Sequence, residues 1–215
     1  MKKLFLLLIL ATGAGSAQMN TLKKANENLD SSDSGQAQQT ITLAGGCYWC
    51  VEAIYEQLDG VTSAVSGFAG GKMENPSYED VSGGRTGYAE AVQITYDKTK
   101  TNLDEIFRIF FTVHDPTTLN RQGVDVGTQY RSAIFYKNDT QKKAAQSIIA
   151  ALTKAKAYDG PIVTTLEPLT KFYKAEDYHQ NYYQNNKNQP YCQMVIQPKM
   201  EKFEKVFKDR LKKKK

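Results

Sequence analysis

The sequence predicts an α+β fold: a ferredoxin-like βαββαβ two-layer sandwich with long functional loops and a C-terminal extension. Three observations carry that expectation. Segments that alternate apolar and polar residues interleave with segments of helical periodicity, in the order strand, helix, strand, strand, helix, strand up to residue 137. Two polar, glycine-containing stretches, 71–87 and 115–130, interrupt the pattern and are long enough to be functional loops. Both ends read as additions to one hydrophobic region, so a single domain over residues 40–200 is expected.

The chain opens with Lys2 and Lys3, an apolar run from Leu4 to Ala11, and small residues ending in Gly15-Ser16-Ala17. That is the order of a secretory signal peptide over residues 1–17. The run falls short of the ~20 residues a spanning helix needs, and no cysteine near Ala17 offers a lipid attachment point. Cleavage after Ala17 and export to a periplasmic or extracellular compartment are expected, with a membrane tether only if the signal is retained. Residues 18–39 are mostly Asn, Asp, Ser, Gln and Lys, a composition that buries too little surface to fold, and read as a polar linker.

Gln39 to Ala44 alternates as a strand ending at Gly45-Gly46. Val51, Ile54, Tyr55 and Leu58 then recur at helical spacing until Gly60. Val61 to Gly70 reads as a second strand, and Ala89 to Tyr96, after the first loop, as a third. Leu103, Ile106, Phe107, Ile109, Phe110 and Val113 form the apolar face of a helix that stops at His114-Asp115-Pro116. Beyond the second loop, Ser132 to Tyr136 is a strand. A helix capped by Asn138 or Asp139 follows, with Ala144, Ala145, Ile148, Ile149 and Leu152 inside. Ile162 to Glu167 suggests a further strand, Ala175 to Gln184 a short helix, and 201–215 a basic helix or tail whose lysines read as a solvated end.

The formal net charge is +5, and its excess sits in the first three and last six residues, leaving the domain near neutral. With no arginine stripe or recognition-helix pattern, a nucleic-acid partner is excluded. The chain is expected to act as a monomer.

Three cysteines are an odd number for an exported protein, so at least one thiol is expected to be reactive. Cys47 follows a strand and a glycine turn and opens a helix, where unpaired amides and the positive dipole end favour a thiolate and a lowered pKa. The two glycines would let a substrate approach the backbone closely. The plain alternative is a cysteine buried as a small apolar residue. Tyr48 and Trp49, the only tryptophan, are either packing or the wall of a pocket for a methyl or thioether group. Cys47 and Cys50 have C-x-x-C spacing, which suits a redox disulfide or half a zinc site. Zinc would need two more ligands from Cys192, His114 and His179, which form no second pair, so no metal is expected. Glu90, at the start of a strand, is either an edge charge or, if it points inward, a carboxyl with a raised pKa that can donate a proton.

Several stretches together are similar to one family. Gly46-Cys47-Tyr48-Trp49 with Val51-Glu52, Gly67-Phe68-Ala69-Gly70-Gly71, Asn75-Pro76-Ser77-Tyr78-Glu79-Asp80-Val81, Thr86-Gly87-Tyr88-Ala89-Glu90-Ala91-Val92, His114-Asp115-Pro116-Thr117 and Gln122 through Ser132 resemble the type A peptide methionine sulfoxide reductases. The resemblance implies that Cys47 attacks the sulfoxide sulfur and becomes a sulfenic acid as methionine leaves. It implies that Tyr48 and Trp49 hold the S-methyl group, that Glu90 protonates the sulfoxide oxygen, and that Tyr78 and Tyr130 hydrogen-bond that oxygen. Asp125 then supports the hydrogen-bond network. The S epimer of methionine sulfoxide, in oxidised proteins or peptides, is the implied substrate.

The resemblance also implies no cofactor, the electrons coming from a thioredoxin-like protein or another dithiol. The chain departs from the family's common pattern at Tyr48, where Phe is usual, at Tyr88, where His is frequent, and at Cys50, where Gly is usual. Cys192, on a polar C-terminal segment, matches the usual resolving thiol. Cys50 competes because it lies one turn from Cys47, and a relay from Cys47 through Cys50 to Cys192 is the third alternative.

Overall fold

The computed structural model describes residues 37–213, so the leader expected over 1–17 and nearly all of the linker expected over 18–39 lie outside the described residues. Strand β1 (Gln38–Gly45) is followed by α1 (Tyr48–Glu56), β2 (Val61–Ala69), a short helix α2 (Tyr78–Ser82), β3 (Ala89–Asp97) and α3 (Leu103–Val113). Two-residue strands β4 (Arg121–Gln122) and β5 (Asp125–Val126) pair within the second loop, before β6 (Ser132–Tyr136) and α4 (Asp139–Lys154). Strands β7 (Thr165–Pro168) and β8 (Phe172–Lys174) and helices α5 (Tyr182–Asn185) and α6 (Gln197–Val206) complete the chain. The sheet runs β7-β6-β1-β3-β2-β8. All its pairings are antiparallel except β6 with β7.

The two faces of this sheet differ because each strand alternates. Leu43, Val92 and Ile134 point to the helical side, where they join Ile54, Tyr55, Phe107 and Phe110 in the main core. Their neighbours Ala44, Ala91 and Ala133 point the other way, into a thinner cluster with Phe135 and Phe172. The small side chains on that second face let loops lie close against the sheet.

Several boundaries move relative to the sequence reading. Strand β1 starts at Gln38, inside the expected linker, because Gln38 and Gln39 pair with Asp97 and Tyr96. The first loop contains α2, held by a reciprocal capping box between Ser77 and Asp80. Asn138 is the cap of α4, whose buried face is Gln141, Ala144 and Ala145, while Ile148, Ile149 and Leu152 are only half-buried. The single helix expected from Ala175 to Gln184 is broken into a 3-10 turn (Asp177–His179) and α5, because Asn181 takes a left-handed conformation (φ 53°). Strand β8 is too short to follow all of β2. Where it ends, the Gln180 side chain takes over, accepting from the Ser66 N–H at 3.0 Å and donating to the Ser66 carbonyl at 3.0 Å.

The C-terminal boundary expected at residue 200 is also corrected. Helix α6 crosses it, and Met200, Phe203 and Phe207 are buried in the main core. Leu211 then bridges to Leu58, and the Lys212 ammonium donates to the Glu56 carbonyl at 2.6 Å. Lys205, Lys208 and Lys213 are exposed, but the segment carrying them, through the described residues, is part of the domain. Phe203→Ala should therefore cost about 3–5 kcal/mol, read as a fall in the urea midpoint. An unchanged midpoint would return residues 201–215 to a detached tail.

Candidate active site around Cys47

Strand β1 leads directly into the site. Gly46 has φ +90°, which turns the chain so that Cys47 caps α1 and the Cys50 N–H bonds back to the Cys47 carbonyl at 3.1 Å. A Cβ on Gly46 would lie 2.6 Å from the Gln122 side chain, and one on Gly45 would lie 2.9 Å from Phe110. The glycines thus make room for protein side chains, which corrects the expectation that they admit substrate. Gln122, from β4, in turn clamps the second loop by bonding both the N–H (3.1 Å) and the carbonyl (3.0 Å) of Asp115.

All three cysteines are free and buried. Burial raises the Cys47 thiol, as do its hydrogen bond with Cys50 and the charges of Cys50 and Glu90, so Cys47 is protonated in this state. The sequence reading expected a lowered pKa at the helix end. Burial outweighs that helix end, whose first-turn Tyr48 N–H donates to Glu90 Oε2 at 3.1 Å. Cys50 carries the opposite shift, to about 7, because it shares the Cys47 proton and lies 3.5 Å from the Lys199 ammonium of α6. The shared proton stays on Cys47, and the neighbouring ammonium favours a negative Cys50.

Glu90 points inward from β3 and is only 3% exposed. Burial raises its carboxyl to about 8, against the pull of the Tyr48 N–H, so at neutral pH it carries a proton. Tyr78 from α2 and Tyr130 from the second loop are half-buried beside it. Burial and the charges of Glu90 and Cys47 raise both phenols, which stay protonated as donors. Asp125, on β5, accepts from the Tyr191 hydroxyl at 2.8 Å, and Tyr191 also hydrogen-bonds Cys47. The expected supporting role of Asp125 thus has a concrete route, through a tyrosine the sequence reading left without a role.

Tyr48 is buried between Phe68 (centroids 5.9 Å apart) and His179 (5.3 Å), and its hydroxyl lacks a hydrogen-bond partner. Trp49 is half-buried, stacks on Tyr182 with centroids 3.6 Å apart, and donates from Nε1 to His179 Nδ1 at 3.2 Å. The two residues are the start of an aromatic enclosure that also takes in Tyr78, His179, Tyr182 and Tyr191. The last three come from the C-terminal segment. Glu52, buried on α1 and raised to about 7 by desolvation, hydrogen-bonds the backbone of Asn181 and Tyr182 and holds that segment over the site.

Cys192, expected on a polar and mobile tail, is instead fully buried in the π-helical turn Cys192–Ile196. It feels the charge of Cys50. Pro190 and the polar run before it pointed to a loop, but Ile196, Met200 and Phe203 carry an apolar spacing that pulls the turn inward. His114 is structural. Burial lowers its pKa to about 4, so the neutral ring donates from Nδ1 to the Phe110 carbonyl (2.6 Å) and accepts at Nε2 from Ser132 (2.8 Å). Tyr88 packs its ring against Gly71 and donates to the Met73 carbonyl at 2.6 Å, which fixes the start of the first loop. Among the described residues no group of three or more His, Cys, Asp or Glu side chains converges as a metal site.

Two thiols that share a proton beside a protonated carboxyl can take an oxygen from an oxidised group and then pair with each other, and the chain is a thiol oxidoreductase. Its sequence matches the model of the family described as Peptide methionine sulfoxide reductase over residues 39–211. A peptide methionine sulfoxide reductase of Rhodopirellula baltica is 53% identical over 175 residues, covering 81% of this chain and 90% of that one. The reduced form of Mxr1 from Saccharomyces cerevisiae superposes with a TM-score of 0.64 at 37% identity, covering 73% of this chain and 90% of its own. Methionine sulfoxide reductase A of Corynebacterium diphtheriae gives 0.63 at 35% identity, covering 71% and 77%. The chain belongs to the peptide methionine sulfoxide reductase family, and its activity is the reduction of methionine sulfoxide to methionine in the repair of oxidised proteins.

The buried carboxyl leaves a signature in stability. Its pKa rises from the usual 4.5 to about 8 on folding, so Glu90 favours the fold fully below the lower value and progressively less as pH climbs to the higher. Glu90→Gln should match the parent protein near pH 4 and exceed it by about 4 kcal/mol at pH 8, measured by urea midpoints at both. A gap independent of pH would mean the carboxyl is ionised in the fold.

Proposed function

We propose that Cys47 is the nucleophile, Glu90 the acid, and Cys50 the first resolving thiol of this reductase. The observation that carries the reading is the buried pair Cys47 and Cys50 one helical turn apart, the Cys50 N–H on the Cys47 carbonyl at 3.1 Å, with the buried Glu90 carboxyl on the neighbouring Tyr48 N–H at 3.1 Å. As Cys47 attacks the sulfoxide sulfur, its proton passes to the Cys50 thiolate and the Glu90 proton goes to the oxygen. Methionine leaves, and Cys47 keeps the oxygen as a sulfenic acid. Tyr78 and Tyr130 donate to that oxygen, Asp125 orients Tyr191 toward Cys47, and Tyr48 and Trp49 enclose the S-methyl group. The S epimer is the one consumed.

Cys50 then returns its proton to Glu90 and attacks the Cys47 sulfur. An S–S bond forms, the S–O bond breaks, and the Glu90 proton leaves with the hydroxyl as water. Cys192 receives the disulfide next, by exchange with Cys50, and a thioredoxin-like dithiol restores the thiols without a cofactor. Oxidised proteins and peptides outside the cytoplasm are the substrates of a monomer exported by its leader, as residues 1–17 suggest. The central order β6-β1-β3-β2, with α1 and α3 as its two crossovers, supports a ferredoxin-like core extended at both edges.

The test is a single-turnover assay on racemic methionine sulfoxide, followed by peptide mapping of the disulfide. Half the substrate should be consumed, Cys47→Ser should be inactive, and Glu90→Gln should be slower by about 10²–10⁴-fold. Cys192→Ser should still form a Cys47–Cys50 disulfide. A Cys192→Ser protein that stays at the sulfenic acid would reassign resolution to Cys192, and an active Cys47→Ser would end the proposal.

A further inference from the structure

We infer that Lys199 is a catalytic residue of the resolving step, its ammonium holding the Cys50 sulfur as the thiolate that attacks oxidised Cys47. The inference rests on Cys50 being the resolving thiol. Lys199 lies in the first turn of α6, half-buried, with Nζ 3.5 Å from Cys50 Sγ. A cation so placed acts on the atom that makes the new bond, and partial burial keeps the interaction from being screened as a surface pair is.

The remaining charges around that sulfur work the other way. Glu90 on β3 and Asp125 on β5 face Cys50 with carboxyl groups, Tyr191 brings a phenol, and Cys47 and Cys192 bring thiols. Of these groups only the Cys47 thiol and Lys199 favour a negative Cys50, and once Cys47 is a sulfenic acid its thiol proton no longer serves. Lys199 is then the group that lets Cys50 ionise. The step consumes one thiol and one sulfenic acid and releases one water, with the Cys50 proton leaving through Glu90.

The placement explains how a buried thiol is ready while the sulfenic acid is short-lived. A sulfenic acid left waiting in an oxidising compartment advances to the sulfinic form, which no dithiol reverses. Speed at the second thiol is therefore part of the enzyme's own protection.

The experiment follows disulfide formation after one turnover between pH 6 and 9, with dimedone trapping any sulfenic acid, in Lys199→Met and Lys199→Arg proteins whose folding is checked by circular dichroism. In Lys199→Met the disulfide should form about tenfold more slowly at pH 7, as a thiol pKa one unit higher requires. Trapped sulfenic acid should accumulate, and the deficit should close by pH 9. Lys199→Arg, which keeps the charge, should stay within about threefold of the parent. An unchanged rate in Lys199→Met, or a deficit equal at every pH, would overturn the inference while leaving Cys50 as the resolving thiol. A Cys50→Ser protein that forms its disulfide through Cys192 at the parent rate would overturn the Cys50 reading itself.

Discussion

One hydrogen bond, from the Tyr48 N–H to the Glu90 carboxyl, fixes the relation between the first turn of α1 and the central strand β3. Such a bond contributes about 1 kcal/mol to stability. It joins residues 42 positions apart, setting the Glu90 carboxyl of the sheet beside the helix start that carries the Cys47 thiol. Burial holds the Cys47 thiol and the Glu90 carboxyl toward their neutral forms, while Cys50, one turn deeper, is pushed the other way.

The scaffold around that bond is built from loops that restrain one another. Thr128 donates to the Gly84 carbonyl and Gln129 to the Ser82 carbonyl, tying the second loop to the end of α2. Tyr78 and Tyr130, one on each segment, are thereby held in a common frame. Glu176 accepts from the Tyr78 N–H at 3.0 Å, so the C-terminal segment is joined to the same frame. A site assembled from separate stretches gains precision from such cross-ties, because no side chain is placed by its own loop alone.

Much of this was legible in the sequence, and the exceptions have physical reasons. The six elements from β1 to β6 that form the core were readable because apolar periodicity reports burial, and every one of their core faces is long enough to register. Helix α2 carried a readable signal in Ser77 and Asp80, but five residues are too few for periodicity to show. Strand β8 is shorter still. The inward orientation of Glu90 was one of two open readings, since alternation alone does not say which face of a strand's end is covered. Tyr191, Glu52 and Lys199 were missed because their partners are 66, about 130 and 149 residues distant, and no local pattern encodes contacts across such separations. The Cys47 ionisation differs from the expectation because burial, set by packing that no local pattern shows, outweighs what the helix end alone would dictate.

The side-chain amide that Gln180 lends to Ser66 has a consequence for the company this protein keeps. An enzyme that repairs damaged polypeptides meets chains that are partly unfolded and rich in unsatisfied strand-forming segments. A bare sheet margin would recruit them by backbone pairing and seed aggregation. Here the margin of β2 is interrupted by a register shift near Val61, and at Ser66 its donor and acceptor are already occupied by a side chain that offers no further backbone to extend. At that position an incoming strand finds no free backbone pair to extend.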